Sequence, residues 1–271
     1  MLLHSERQSP NLERYRQAGF IPVYIWSHGF IARDWFRYAE LDPNLEQHTG
    51  GHKFLIYNRA WSGSREYRLK FTELLLQHQL QDDVRMKFNP VDSDIDYRDH
   101  VFANPNLQIS RHDLEKHWEI NLATATASAD YVARDYQHTD IEIVLETLFD
   151  DSRLHLTEKA LRPIACAQPF LLAGTAGSLD YLKSYGFESF SPWIDETYDT
   201  ITNPLLRLNA IIDEMLRINS LPGNEYTQLV DETRIIAKRN QHYFFSKEFH
   251  HTLVNEFQKN FRNAMSHLTT I

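Results

Sequence analysis

A chain of 271 residues, 42% hydrophobic and 24% charged, has the composition of a globular protein with one sizeable core or two modest ones. Its formal net charge of -9 argues against a general nucleic-acid binder, and its single cysteine, Cys166, leaves no internal disulfide to form. No apolar run approaches the ~20 residues of a membrane span, and the opening residues lack the apolar stretch of a signal peptide, so we expect a cytoplasmic protein.

In chain order, residues 20–26 read as a strand, followed by Ser27-His28-Gly29 and a short helix over 31–40. Asp42-Pro43 and Gly50-Gly51 mark residues 41–52 as a linker. Residues 53–57 are a short apolar run bounded by turn residues, the pattern of a buried strand. A polar loop then leads into a helix over 65–79, where Tyr67, Phe71, Leu74 and Leu75 share a face. A strand over 84–88, a loop-rich stretch over 89–111 and a helical turn over 113–119 come next. Residues 141–145 form another strand, and Thr157 is placed to cap a helix running to 167. A strand over 169–173, a tight turn at Gly174-Thr175-Ala176-Gly177, a helix over 179–185 capped by Ser178, and a short strand over 187–190 complete the alternation. From residue 203 the pattern is helical, broken near Leu221-Pro222-Gly223.

Strand–helix alternation predicts an α/β fold, a parallel sheet with helices on both faces. We divide the chain into a reduced N-terminal segment (1–52), a Rossmann-like domain (53–202) and C-terminal helices (203–271). In such sheets ligands sit beyond the carboxyl ends of the strands, which selects the segments after Tyr57, Leu145 and Ala173. The dinucleotide fingerprint GxGxxG is missing, as are HExxH and CxxC, so we expect no metal site. Asp92-Ser93-Asp94 has the spacing of a metal-binding carboxylate pair, but with Asp96 and Asp99 beside it we read a solvated acidic loop.

The stretch Leu156-Thr157-Glu158-Lys159-Ala160-Leu161-Arg162, followed by Pro169-Phe170-Leu171-Leu172-Ala173-Gly174, resembles the donor-binding motif of α1,3-fucosyltransferases. There a Thr/Ser-Glu-Lys triplet opens a helix, and a strand that begins with Pro and ends with Gly follows. Residues 146–199, with Gly177-Ser178-Leu179 and Trp193-Ile194-Asp195-Glu196-Thr197-Tyr198, look like the version in phage and marine-bacterial glycosyltransferase-like proteins. Upstream, Phe54-Leu55-Ile56-Tyr57-Asn58 with Arg68-Leu69-Lys70-Phe71 resembles the strand–loop–helix that opens the same domain.

The resemblance implies a GT-B-type, metal-independent glycosyltransferase with a nucleotide sugar as co-substrate and no further cofactor. Without a metal, the negative charge on a departing nucleoside diphosphate must be met by cations and helix N-termini. The resemblance assigns Lys159 and Arg68 to the diphosphate and Glu158 to the ribose hydroxyls. Arg65, one turn earlier than Arg68, joins the clamp, and Arg59, Glu146, Thr157, Gly174 and Ser178 fill out the donor side. Lys159 and Arg68 are expected as first-turn charges whose removal hardly affects stability.

Two departures stand out. Pro163 lies inside the motif helix, where it should kink or shorten it, a feature shared with the phage-type branch. Only a short segment precedes residue 53, so the acceptor side is reduced, completed by the C-terminal helices, or supplied by another subunit. For the catalytic base the leading segment offers His28 and Asp34, with Asp195 and Glu196 as further acids. The phage-type resemblance makes a hydroxymethylated pyrimidine in DNA a candidate acceptor, beside a glycan or a protein. Two other classes fit the same residues: a nucleotide-binding but inactive protein of this fold, and another α/β enzyme that binds a phosphorylated substrate through residues 59–70.

Overall fold

Strand β1 (Leu2–His4), helix α1 (Asn11–Gln17) and strand β2 (Pro22–Tyr24) open the chain, and the two strands pair in parallel. The expected strand over 20–26 is therefore shorter, and its partner β1 has too few residues to show a period. Helix α2 (Ser27–Trp35) starts at once, so His28 lies in its first turn rather than in a loop, and the helix ends before the expected residue 40. The structure, a computed structural model, describes residues 1–120 and 128–268.

The apolar run at 53–57 becomes β3 (His52–Asn58), followed by α3 (Tyr67–Gln77) and β4 (Val84–Phe88). The loop-rich stretch contains a hairpin of β5 (Val91–Asp92) and β6 (Ile95–Asp96), whose tip residues Ser93 and Asp94 have φ of 53° and 63°. Positive φ at both central positions is the turn whose twist matches a two-residue hairpin. Where a helix was expected over 113–119 there is a single 3₁₀ turn at Leu114–Lys116, then strand β7 (Glu119–Ile120). Helix α4 (Ala133–Gln137), β8 (Thr139–Leu145), α5 (Glu158–Ala165), β9 (Phe170–Ala173) and α6 (Ser178–Lys183) follow. Three long helices end the chain: α7 (Pro204–Asn219), α8 (Gly223–Phe245) and α9 (Lys247–Leu268).

Two local expectations fail for stated reasons. Residues 187–190 form no strand: Glu188 N–H donates to Asn240 Oδ1 and its C=O accepts from Asn240 Nδ2, and Phe190 N–H donates to Glu196. Phe187 and Phe190 fill the core without a ladder. Helix α6 is capped by Gly177, at φ 85°, and Ser178 is its first residue.

The five strands of the main sheet are all parallel and lie in the order β7-β4-β3-β8-β9. The chain enters at the middle, moves outward through β4 to β7, returns to β8 and moves outward the other way to β9. Right-handed crossovers then put α3 and α5 on opposite faces. Helix α7 packs beside α3, whereas α2 and α8 pack beside α5. Between β3 and β8 the direction of winding reverses, which opens a crevice at their carboxyl ends. Covered on both faces, β3 is buried from Phe54 to Asn58 and β8 over its whole length. One core joins the leading segment (Trp26, Phe36), the sheet (Phe54, Ile143, Leu171) and the C-terminal helices (Ile211, Phe249). Among the described residues no helix is long and apolar enough to cross a membrane.

An ion pair is buried in this core. Arg162 of α5 donates to Glu142 of β8 at 2.5 Å and to the Tyr136 hydroxyl at 3.0 Å, and Tyr136 donates to Glu142 at 2.8 Å. Removing one partner strands the other charge in a low-dielectric site, at a cost of about 3–5 kcal/mol. Arg162→Met should therefore destabilise the fold by about that much in urea unfolding, and adding Glu142→Leu should restore most of it. An Arg162→Met variant as stable as the parent would contradict the pairing.

Candidate functional site

A cleft of about 430 Å³ occupies the crevice where the winding reverses. Its size suits a small molecule or a nucleotide. Strand ends supply part of its lining, Tyr57 of β3, Asn89 after β4 and Leu145 of β8. The rest is dominated by charge. Among the described residues, Arg59, Arg65, Arg68, Lys159 and Arg162 line it against two carboxylates, Asp92 and Glu142.

Both carboxylates are already engaged. Glu142 holds Arg162 and Tyr136, as above. Asp92 accepts the backbone N–H groups of Trp61 at 2.8 Å and Ser62 at 2.6 Å. This corrects, at Asp92, the reading of residues 92–94 as a solvated acidic loop: Ser93 and Asp94 are exposed at the hairpin tip, but Asp92 orders the loop after β3. Those bonds, with Arg65 nearby, hold its carboxyl below the usual range although burial pulls the other way.

The cations differ in what fixes them. Arg68 is almost wholly buried, and its guanidinium donates to the carbonyls of Ala60 (2.6 Å), Leu145 (2.6 Å) and Glu146 (2.9 Å). It is not the exposed first-turn charge expected from sequence. Arg65 precedes α3, in a 3₁₀ turn, where it bonds the carbonyl and hydroxyl of Ser62. Arg59 and Arg162 both lie over the ring of Tyr57, at 4.6 and 4.3 Å from its centre. Burial, and after it the neighbouring cation, pushes down the pKa of Arg59 (beside Arg162) and of Arg65 (beside Arg68). The cleft holds cations that repel one another, and an anion placed among them relieves that repulsion.

Lys159 reaches the cleft from the first turn of α5. Thr157 caps this helix as expected, and its hydroxyl accepts from Lys159 N–H at 3.4 Å. Pro163 lies inside the helix, which ends at Ala165. Glu146 is consumed here: its carboxylate accepts the N–H (2.9 Å) and hydroxyl (2.8 Å) of Thr157 and the N–H of Thr147. Glu146 and Thr157 therefore lock the entry to α5 and do not line the cleft. Gly174 and Ser178 also lie outside the lining. A Cβ on Gly174 would come within 2.8 Å of Ser178 Oγ, so the glycine permits a close approach, and its carbonyl accepts from Arg207.

Glu158, buried beside the cleft, contacts Lys159 Nζ at 2.7 Å through one oxygen and His28 Nε2 at 3.5 Å through the other. Burial alone would raise its pKa; Lys159 and His28 bring it below the usual range. The His28 ring also stands edge-on to His155, with centres 5.1 Å apart. Burial lowers the pKa of His28 despite the pull of Glu158, and its Nδ1 has no hydrogen-bond partner. Asp34 stands apart: it is exposed on α2 and pairs with Arg37. Asp195 accepts from Thr197 N–H, and Glu196 from Ser189 and Phe190, both away from the cleft.

Sequence reasoning missed Arg162, Tyr57, Asp92 and Asn89 as lining residues. Arg162 was within reach, because it is three residues from Lys159 and so on the same helix face. Asn89 follows the end of β4, a strand end to which the same rule applies.

The lowered pKa values of His28 and Glu158 fix the sign of each group's own contribution to stability. His28 has a folded pKa below its ordinary value, so the unfolded chain takes up its proton first. Its contribution is complete above the unfolded pKa of 6.5 and is lost as pH falls below it. Glu158, also lowered, contributes fully above the ordinary carboxylate value and loses this as pH falls further. Acidification from pH 7.5 to 5.5 should lower the urea midpoint of the parent more than that of His28→Gln; equal losses would remove His28 as the cause.

No protein-family model matches the chain, no curated protein matches it, and no solved structure matches it.

Proposed function

We propose that the chain is a glycosyltransferase that holds the diphosphate of a nucleotide sugar in the cationic cleft and passes the sugar to a hydroxyl acceptor. One observation carries this reading. Among the described residues, five cations face two carboxylates that already have partners, at the point of a parallel sheet where nucleotides commonly bind. The likeness of residues 156–174 to the fucosyltransferase donor motif supports it, since that motif supplies Lys159 and Arg162 to the cleft.

The chemistry follows from charge. As the glycosidic bond breaks, the diphosphate gains negative charge, and fixed cations in a partly dry site stabilise it without reorganising. Lys159 and Arg65, each partly exposed, are the groups free to meet it, and the N-terminus of α5 adds its dipole. Arg68 acts as a positioning residue that fixes both walls through its carbonyl bonds. His28, kept neutral by burial, is the proton acceptor for the incoming hydroxyl, and Glu158 stabilises the imidazolium that forms.

Calorimetry with UDP, GDP, CDP and dTDP should find a binder. Against it, Lys159→Ala and Arg65→Ala should each lose about ten- to a hundredfold in affinity, as expected for a charge-assisted hydrogen bond. Arg68→Ala should instead lower stability by about 2 kcal/mol, because the buried Leu145 carbonyl loses this donor and the carbonyls of Ala60 and Glu146 each lose a bond. Glu158→Ala discriminates two roles. If it contacts the ribose, pyrophosphate affinity is unchanged; if it orients Lys159, pyrophosphate weakens as well. Sugar transfer should persist in EDTA. Lys159→Ala and Arg65→Ala proteins that bind like the parent would remove the reading, and tight binding without turnover would favour an inactive nucleotide-binding protein.

A further inference from the structure

A second and larger cleft, about 580 Å³, lies between the leading segment and α9. Its chemistry is unlike that of the first. Two arginines, Arg7 and Arg16, are balanced by two glutamates, Glu6 and Glu256, so it offers no net charge to a phosphate. Arg7 is fixed and neutralised: its guanidinium lies 4.8 Å from the Tyr24 ring centre and 4.7 Å from that of Tyr181, and it donates to Glu256 and to the Tyr185 hydroxyl. At the rim the side-chain amides of Gln8 and Asn263 have no protein partner among the described residues, and apolar Leu12 and Ile21 lie between the polar groups.

Gln8 carries a further signal. It has φ of 57°, a conformation that non-glycine residues rarely adopt. The bend is imposed from one side by Arg7, whose backbone N–H and C=O pair with Leu154 at 2.9 Å each. Strain of this kind persists where the surroundings over-determine it, and such residues cluster at binding sites. The same segment is tied to the acid–base pair. His155 Nδ1 donates to the Ser5 carbonyl at 3.0 Å, and its ring rests against His28.

We propose that this cleft binds a neutral glycan, whose hydroxyls meet the amides of Gln8 and Asn263 and the remaining lone pairs of the paired carboxylates, and whose C–H faces meet the apolar patches. A ligand that is uncharged yet rich in both donors and acceptors suits a lining of amides, paired charges and short apolar stretches better than a phosphate or a purely apolar molecule does. That this glycan is the acceptor rests on the glycosyltransferase reading; the binding itself does not.

The test is a printed glycan array carrying neutral and sulfated oligosaccharides, followed by saturation-transfer NMR with the neutral hits and with a hydroxymethylcytosine-containing duplex. A neutral oligosaccharide should bind, and should still bind in 0.5 M NaCl because no counterions are released (roughly the salt independence expected for an uncharged ligand). Asn263→Trp, a bulky residue at an exposed site on α9, should weaken it at least about tenfold while leaving nucleoside diphosphate affinity intact. Arg65→Ala should do the reverse. Gln8→Gly, which adopts the positive φ without strain, should weaken glycan binding about threefold or more without lowering the unfolding midpoint. Binding confined to sulfated glycans or to the duplex, binding that responds to Arg65→Ala but not to Asn263→Trp, or an array with no neutral hit overturns the proposal. Glycan binding without nucleotide binding would keep this cleft and remove the glycosyltransferase reading.

Discussion

The crevice between β3 and β8 depends on one guanidinium. The two strands stay paired through Ile56 and Ile143, and beyond that point they separate. Separation leaves the carbonyls of Leu145 and Glu146 facing a dry interior, where an unmatched acceptor is costly. Arg68 fills the gap, with Ala60 as its third acceptor, and the adjacent Tyr67 hydroxyl donates to Glu146 and Ala173 carbonyls. Two consecutive residues at the start of α3 thus close the carboxyl ends of three strands. The acceptors are neutral carbonyls, so the positive charge remains uncancelled. A group needed to hold the strands apart also makes the crevice attractive to an anion.

That double service explains what could be read from the sequence and what could not. Strands β3, β8 and β9 were legible because each holds a short apolar run between turn residues, and β4 because its apolar residues alternate with polar ones. Thr157 was legible because a cap lies next to the helix it caps. Strands β1 and β7, with three and two residues, carry no period to detect. Residues 187–190 have the apolar content of a strand, but their backbone partners are Asn240 and Glu196 side chains, which no local pattern records. Arg68 was legible as a cation and illegible as a clamp, because two of its acceptors are backbone oxygens 77 and 78 residues away. Glu146 shows the opposite failure: its position after a strand suggested a ligand contact, and folding spends both its oxygens on residues 147 and 157.

Burial therefore sorts the cations of the cleft into two kinds. Arg68 and Arg162 are held inside by fixed partners, and a change at either is first a change in stability. Lys159 and Arg65 keep 23% and 32% of their side chains exposed, enough freedom to turn toward a ligand at little conformational cost. Loss of activity in an Arg68 or Arg162 variant says little about ligand contacts until folding has been measured.

The contacts His28–Glu158–Lys159 link the cationic cleft to the proton acceptor we propose. Lys159 sits 2.7 Å from Glu158, and its charge opposes that of the carboxylate at His28. In the proposed reaction an arriving diphosphate competes for Lys159, and the carboxylate loses its nearer partner. The field of Glu158 then falls more fully on His28, 3.5 Å from its other oxygen, and an opposite charge at that range raises the proton affinity of an imidazole. His28 would become a stronger base once the donor is in place. A base strengthened by donor binding favours deprotonation of the acceptor hydroxyl only when a sugar is present to receive it. The same coupling makes Lys159 more than a phosphate contact: replacing it by Ala removes the neutralising partner permanently. It would leave His28 more basic at every stage, so donor affinity and the pH at which the base titrates should shift together.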